Sequence, residues 1–242
     1  MDLPGFFTFT NRWGTSLEFA GIKCIDEVAM DLNEELSKLK SAKEHHLNVR
    51  RHTLNAYGRA FYGMDFLAVA TLNRSLCLLR AFCQLIEDRN IVAAAPLIRM
   101  QLDNVLRFSA AWVVLNPHEF SLNVLNGIPI RKMKDKNGKK LDDRYLVEML
   151  SVEHDWIKSV YEHCSGYVHL SEKHIFNALT LGEEEQSIEL KISDRDEWAP
   201  ESLYFEAVGA FGAITALVLK YAQGWAISKA HPELLNTVEG AS

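Results

Sequence analysis

The feature that most constrains this chain is the spacing of its apolar residues. Val28, Leu32, Leu36 and Leu39 recur every three or four positions with Glu, Lys and Asn between them, the period of an amphipathic helix rather than a strand. The pattern predicts a helix from Ile25 to about Tyr62, whose second half, "HHLNVRRHTLNAYGR", is more polar and basic. A second helix follows from about Asp65 to Arg89. Its apolar face (Leu72, Leu76, Leu79, Phe82, Cys83, Ile86) is broad enough for burial on more than one side, and Asn90 is a candidate C-terminal cap. A third runs from about Ile91 to Leu115, opened or kinked at Pro96, and "LNPHE" breaks it. The most apolar run, "AVGAFGAITALVL", is bounded by Glu206 and Lys220. It falls short of the roughly 20 residues of a membrane span and reads as the middle of a core helix from about Glu201 to Ala230. Within that helix Gly209, Gly212, Ala213 and Ala216 form a small-residue stripe on which another helix could lie close.

Between Gly127 and Asp143 the character changes. "GIPIRKMKDKNGKKLDD" carries an Asn-Gly pair between short alternating stretches, a signal for a hairpin or tight turn, and reads as an exposed basic excursion. Asp142 then suits a helix N-cap with Asp143 in the first turn of "RYLVEMLSVE". "DWIKSVYEHCSGYVH" is the next helix, Ser171 a cap before a brief turn, and "NALTLGEEEQSIELKISD" a small β-hairpin over 177–194. No repeat, low-complexity tract or linker divides the chain. The expected fold is all-α, a helical bundle with a small β-hairpin appendage and a basic hairpin or turn insertion. It forms one domain over 1–242 with its core at about 25–230.

Of 242 residues 48% are hydrophobic and 24% charged, as in a folded globular protein. A net charge of −6 excludes a protein that coats nucleic acid with its whole surface but leaves room for a local basic patch. Four cysteines without a CxxC pair read as reduced thiols, and the N-terminus lacks a signal-peptide pattern. A cytoplasmic protein without a membrane partner is expected. There is no GxxxxGK[ST], GxGxxG or GxSxG, which sets aside P-loop, dinucleotide-binding and α/β-hydrolase chemistry. "EHH" at 44–46 with His52 reads as a surface helix, and His163 and His169 stand six apart on different helix faces. Neither a metal nor a cofactor is expected.

Two stripes could carry chemistry. Tyr161, Ser165 and His169 are spaced by four beside the apolar row Ile157, Val160, Cys164 and Val168, which places His169 at the border of core and solvent. Gly166 leaves room there for a helix or ligand. Either these are partly buried residues with satisfied hydrogen bonds, or they form a reactive cluster. On the third helix Arg99, Asp103 and Arg107 are also spaced by four, in a segment rich in Leu, Val, Phe and Trp. Either the ladder pairs internally at the solvent border, or a guanidinium is left to bind a phosphate or carboxylate. Arg80, Gln84 and Glu87 form a similar ladder that could complete an interior network. The segment "RKMKDKNGKK" holds six Lys or Arg in ten residues, either a solvated turn or a phosphate-contact patch.

"LIRMQLDNVLRF" (97–108), "KMKDKNGKKLDDRYLVEML" (132–150) and "YEHCSGYVHLSEKHI" (161–175) together resemble a bacterial family of all-helical proteins with a YxxxSxxxHxS run. The likeness covers roughly residues 60–180. That arrangement is similar to the HEPN group, many of whose members are metal-independent ribonucleases of defence and stress systems, others binding modules. The group's catalytic signature is an Arg followed four to six residues later by a His. Here His163-Cys-Ser-Gly-Tyr-Val precedes His169, so an arginine of the third helix would have to take that part in space.

The resemblance implies a helical protein that acts on RNA, with His169 as general acid or base, Arg99 or Arg107 stabilising phosphate charge, and Tyr161 and Ser165 orienting the imidazole. Read from the residues themselves, Tyr161, Ser165, Asp103 and Arg80 are the candidate binding residues. The alternatives are a non-enzymatic interaction protein that dimerises through its apolar helices, or a small-molecule anion sensor.

Overall fold

The computed structural model describes residues 31–181, 188–196 and 198–232. Those residues form an all-α bundle to which one short two-stranded antiparallel hairpin is attached. Helix α1 (Leu32–Asn55) starts at Asp31, whose carboxylate accepts the Asn33 N–H at 2.9 Å, with Glu34 and Glu35 in its first turn. It buries Leu32, Leu36, Leu39 and Val49. The part of the first expected helix between Ile25 and Met30 lies outside the described residues. The helix also ends earlier than Tyr62, because Tyr57, Gly58 and Arg59 all take left-handed backbone angles (φ +48°, +62° and +66°) and turn the chain.

Helix α2 (Gly63–Glu87) then runs back along α1. Its end corrects one expectation: Asn90 does not cap α2 but starts α3 (Ile91–Ser109), its side chain accepting the Ala93 N–H at 3.0 Å. The left-handed residue that closes α2 is Arg89 (φ +55°), held by an ion pair to Glu201 and by stacking over the Tyr204 ring. Helix α3 continues through Pro96 but stops at Ser109 rather than Leu115, giving way to a single tight turn at Ala110–Trp112. Beyond it lies a helix that the apolar spacing does not announce, α4 (Pro117–Leu125), capped by Asn116 and opened by Pro117. It packs on α2, where a Cβ at Gly63 would collide with the Ser121 hydroxyl.

The basic excursion is a tight turn rather than a full hairpin, with one bridge between Lys134 and Lys140 and Gly138 at φ +82°. Helix α5 (Asp143–Ser151) is capped by Asp142 as expected, and α6 (Trp156–Val168) follows. After Ser171 comes a short helix, α7 (Glu172–Asn177), in place of the expected turn, and then strands β1 (Leu179–Leu181) and β2 (Ile188–Leu190). They pair antiparallel, Leu179 with Leu190. Helix α8 (Glu201–Ala230) has the expected limits.

Helices α1, α2, α3 and α8 make the core. At one end Tyr204 donates to the Arg89 carbonyl at 3.2 Å. At the other, Lys229 Nζ lies 2.9 Å from both the Thr53 carbonyl and Asp65 Oδ2. Helices α1, α3 and α8 therefore run in one direction and α2 in the other. Phe82 and Phe211 stack at 4.2 Å between centroids in the middle, and each such buried side chain contributes about 1.5–3 kcal/mol. By length and composition α2 and α8 could each cross a membrane, yet 56% of the most apolar window of α8 is buried inside the bundle. The small-residue stripe does not serve as expected at Gly209, which is exposed and has nothing within 4 Å of where a Cβ would sit; it is Gly224 that faces Trp112, at 3.7 Å.

A polar layer crosses this apolar core at mid-height, with one buried residue from each long helix: His46, Ser75, Gln101 and Thr215. His46 Nδ1 faces the Ala42 carbonyl at 2.8 Å and so carries the proton. Its Nε2 then accepts from the Ser75 hydroxyl at 2.9 Å. Gln101 Nε2 donates to Ser75 Oγ at 2.7 Å and to Thr215 Oγ1 at 2.9 Å, and the Thr215 hydroxyl donates to the Phe211 carbonyl at 2.8 Å. This corrects the reading of 44–46 as wholly surface. His46 is 2% exposed, because it shares the inward face of α1 with Val49 and Thr53.

Candidate functional site

The candidate site grows from one face of α3. Arg99, Asp103 and Arg107 follow each other at four-residue spacing and point toward the first turn of α5 and the middle of α6. Asp142 closes the α5 N-terminus, its carboxylate taking the Tyr145 N–H at 3.0 Å. The adjacent Asp143 is thereby left to turn its carboxylate to α3. Asp143 Oδ2 accepts from Arg99 Nη2 at 2.8 Å, and Oδ1 accepts from Arg107. Arg107 also donates to Asp103 Oδ1 at 3.1 Å and to the Leu141 carbonyl at 3.3 Å. The Arg99 guanidinium lies over the Tyr161 ring at 4.2 Å, and the Tyr161 hydroxyl donates to Asp143 Oδ2 at 3.4 Å. Arg74 of α2 joins from the far side, donating to Asp103 at 3.1 Å and to Asn104 at 2.6 Å. Through Asn104, which donates to Gln101 at 3.0 Å, the cluster connects to the buried polar layer.

Three guanidiniums face two carboxylates here, a net charge of +1. Side-chain exposure is 14% at Arg99, 23% at Arg107 and 43% at Arg74. The two arginines of the α3 stripe are clamped, and the most accessible guanidinium is that of Arg74, which no pattern in the sequence singles out. Arg74 stands 29 residues from Asp103 on a different helix, so only the packing of α2 on α3 reveals it. Arg80 does not complete an interior network: Arg80, Gln84 and Glu87 are exposed on the outer face of α2, where Glu87 pairs with Lys40. Polar residues at helical spacing mark a face, and this one is turned to water.

The run 161–174 closes a helix end. Ser165 donates to the Tyr161 carbonyl at 2.6 Å within α6. Ser171 donates to the Gly166 carbonyl at 2.7 Å and Lys173 to the His163 carbonyl at 2.9 Å, folding α7 onto the terminus of α6. The space beside Gly166 holds Lys173, whose Cε lies 3.1 Å from where a Cβ would be. Burial lowers the pKa of both His163 and Lys173 below their ordinary values. His169 follows the last residue of α6 with an exposed side chain. Eight residues beyond Tyr161, it sits about 12 Å further along the helix axis. No described hydrogen bond or ion pair joins it to Arg99 or Arg107.

The basic excursion packs against the end of α3. The Lys136 N–H donates to the Val113 carbonyl at 2.9 Å, Leu141 is fully buried, and Arg107 holds the Leu141 carbonyl. Asp135 turns inward: its Oδ1 accepts the N–H groups of Asn137 and Lys139 at 2.9 and 2.7 Å, and its Oδ2 accepts the Tyr145 hydroxyl at 2.7 Å. The Tyr145 bond, followed by the two backbone bonds, holds the Asp135 carboxyl below its ordinary pKa and keeps it ionised. Outside, Arg131, Lys132, Lys134, Lys136, Lys139, Lys140 and Arg144 are all exposed. Seven cations against three aspartates give a net +4 over 131–144 in a chain of net −6. Lys139, Lys140, Arg144 and Tyr145 line a shallow cleft of about 400 Å³ together with Asp142 and Glu148.

Among the described residues no group of three or more His, Cys, Asp or Glu side chains is placed to hold a metal ion. Cys77, Cys83 and Cys164 are free thiols. Comparison with protein-family models, curated proteins and solved structures returned no match.

Proposed function

We propose that this chain binds RNA through the phosphate backbone, on the basic turn 131–144 and the adjoining arginine cluster, as a HEPN-like helical protein. The observation that carries the reading is the inward turn of Asp135. Its carboxylate is engaged by two backbone N–H groups and Tyr145, so Asp135, the acid among the cations of 131–140, does not face the surface while those lysines do. A turn fixed at both its acid and its neighbouring Leu141 presents cations without ordering them anew on binding, which favours phosphate recognition. Arg107 ties the turn to α3, and Arg74 adds an accessible guanidinium. The cytoplasm is the compartment this reading requires.

In the catalytic form of the proposal, the chain cleaves RNA without metal, with His169 as general acid or base. The test is cleavage of a labelled RNA in chelator by wild type and by His169→Ala. Cleavage lost in the variant supports catalysis, and equal cleavage overturns it. Binding is measured separately, by titration at two salt concentrations. Absence of a salt-dependent complex overturns the RNA reading itself.

One observation favours a second reading, a non-enzymatic interaction protein. Arg99 and Arg107 are engaged by carboxylates, as register-fixing ion pairs would be. Under that reading Arg99→Ala lowers stability and leaves RNA affinity unchanged.

A further inference from the structure

We propose that the corner between α1 and α2 is a docking surface for an anionic lipid bilayer, separate from the basic turn. The corner projects three large aromatic side chains into water within ten residues: Tyr57 is 53% exposed, Phe61 60% and Phe66 53%. Phe61 and Phe66 lie 5.8 Å apart between centroids, forming one apolar patch rather than scattered residues. Helix α4, packed against α2, adds the exposed aliphatic side chains Leu122 and Leu125.

Charge selects the occupant. Between His45 and Ala70 the exposed charged residues are Arg50, Arg51 and Arg59, and none of them makes an ion pair among the described residues. The acid of that stretch, Asp65, is fully buried and neutralised by Lys229. Glu119 is the exposed carboxylate on α4. The corner thus presents aromatic and aliphatic tips with Arg59 in the turn itself and Arg50 and Arg51 exposed on the α1 segment leading into it, the composition of a surface that seats its apolar side chains at the headgroup boundary and its cations against anionic headgroups. The three successive left-handed residues Tyr57, Gly58 and Arg59 hold the corner as a protruding turn. A protrusion suits a deformable lipid surface, whereas a helical peptide partner requires a groove.

The experiment is sedimentation of the full chain with phosphatidylcholine vesicles, with and without phosphatidylserine, and with a single-stranded RNA as a competing probe. Wild type is expected to partition onto the anionic vesicles and only weakly onto the neutral ones. Phe61→Ser combined with Phe66→Ser is expected to lower that partition at least about tenfold with unchanged thermal unfolding. Replacing Arg50, Arg51 and Arg59 by Gln is expected to lower it about fivefold per arginine and to reduce its salt dependence. Failure of wild type to bind anionic vesicles, or equal binding by the double Phe variant, overturns the proposal. So does RNA capture lost in the Phe variant while vesicles are ignored, which would make the corner a nucleic-acid surface.

Discussion

Arg99 and Asp143 meet at 2.8 Å across 44 residues of sequence, and the same carboxylate receives Arg107 from the next turn but one of α3. Removing it leaves two guanidiniums facing each other with only Asp103 between them. Asp143→Ala is expected to lower stability by about 1–2 kcal/mol, below the cost of breaking a fully buried pair because these side chains keep some contact with water. Urea unfolding reads the loss.

Lys229 and Asp65 set a larger expectation. Their side chains are 1% and 0% exposed, and Asp65 also accepts from Trp225 at 2.9 Å and from the Tyr62 N–H at 2.8 Å. Lys229→Met or Asp65→Leu alone strands a buried charge and should destabilise by about 3–5 kcal/mol. The double variant should lose much less than the sum, and a double-mutant cycle by chemical denaturation measures the difference.

Acid should weaken the bundle through His46. Burial, partly offset by the bond to Ala42, lowers its pKa below the ordinary 6.5. Below about pH 6.5 the unfolded chain therefore takes up a proton that the folded chain refuses, and stability falls with falling pH until the folded imidazole also titrates. His154 and His163 are lowered as well, mainly by burial. The difference in pH slope between wild type and His46→Gln isolates the one residue, at most about 1.4 kcal/mol per pH unit.

Thiol labelling should separate the cysteines. Burial pushes Cys83 up to about 11 and Cys164 up to about 12, whereas Cys77 is exposed. In native protein at mildly alkaline pH, iodoacetamide should modify Cys77 about a hundredfold faster than Cys83 and Cys164, because the thiolate is the nucleophile. Peptide mapping after timed quenching gives the rates.

For the basic turn, changing Lys134, Lys136, Lys139 and Lys140 to Gln should weaken RNA binding uniformly across sequences. The slope of log affinity against log salt should flatten by about 0.7 for every phosphate that no longer meets a lysine. An unchanged slope would remove the turn from the interface.

The helices are legible in the sequence where one side of a segment is apolar over many turns. Helix α8 and the cap at Asp142 are predictable for that reason, since burial and capping act through neighbours in sequence. What is not legible depends on distant partners. His46 and His45 are adjacent and chemically identical, yet only the packing of α2 shows that one of them meets Ser75 inside the core. Asp65 looks like an ordinary first-turn acid until α8 brings Lys229 to it from 164 residues away. Helix α4 escapes a reading of periodicity because nine residues give too few turns for a period to emerge beside its Asn-Pro start. At the candidate site the α3 stripe is visible, but its partner Asp143 reads only as a helix-start residue.

Helices α3 and α8 lie side by side pointing the same way, and α8 alone is about 45 Å long. A chain leaving the end of α3 must therefore travel back the whole length of the bundle before α8 can begin. The described residues between 110 and 200 lie on that return path, and α5 with Asp143 and α6 with Tyr161 belong to it. The arginine clamp thus ties the scaffold helix α3 to a detour that the topology makes obligatory, with Asp143 and Tyr161 as the anchors on the detour's side.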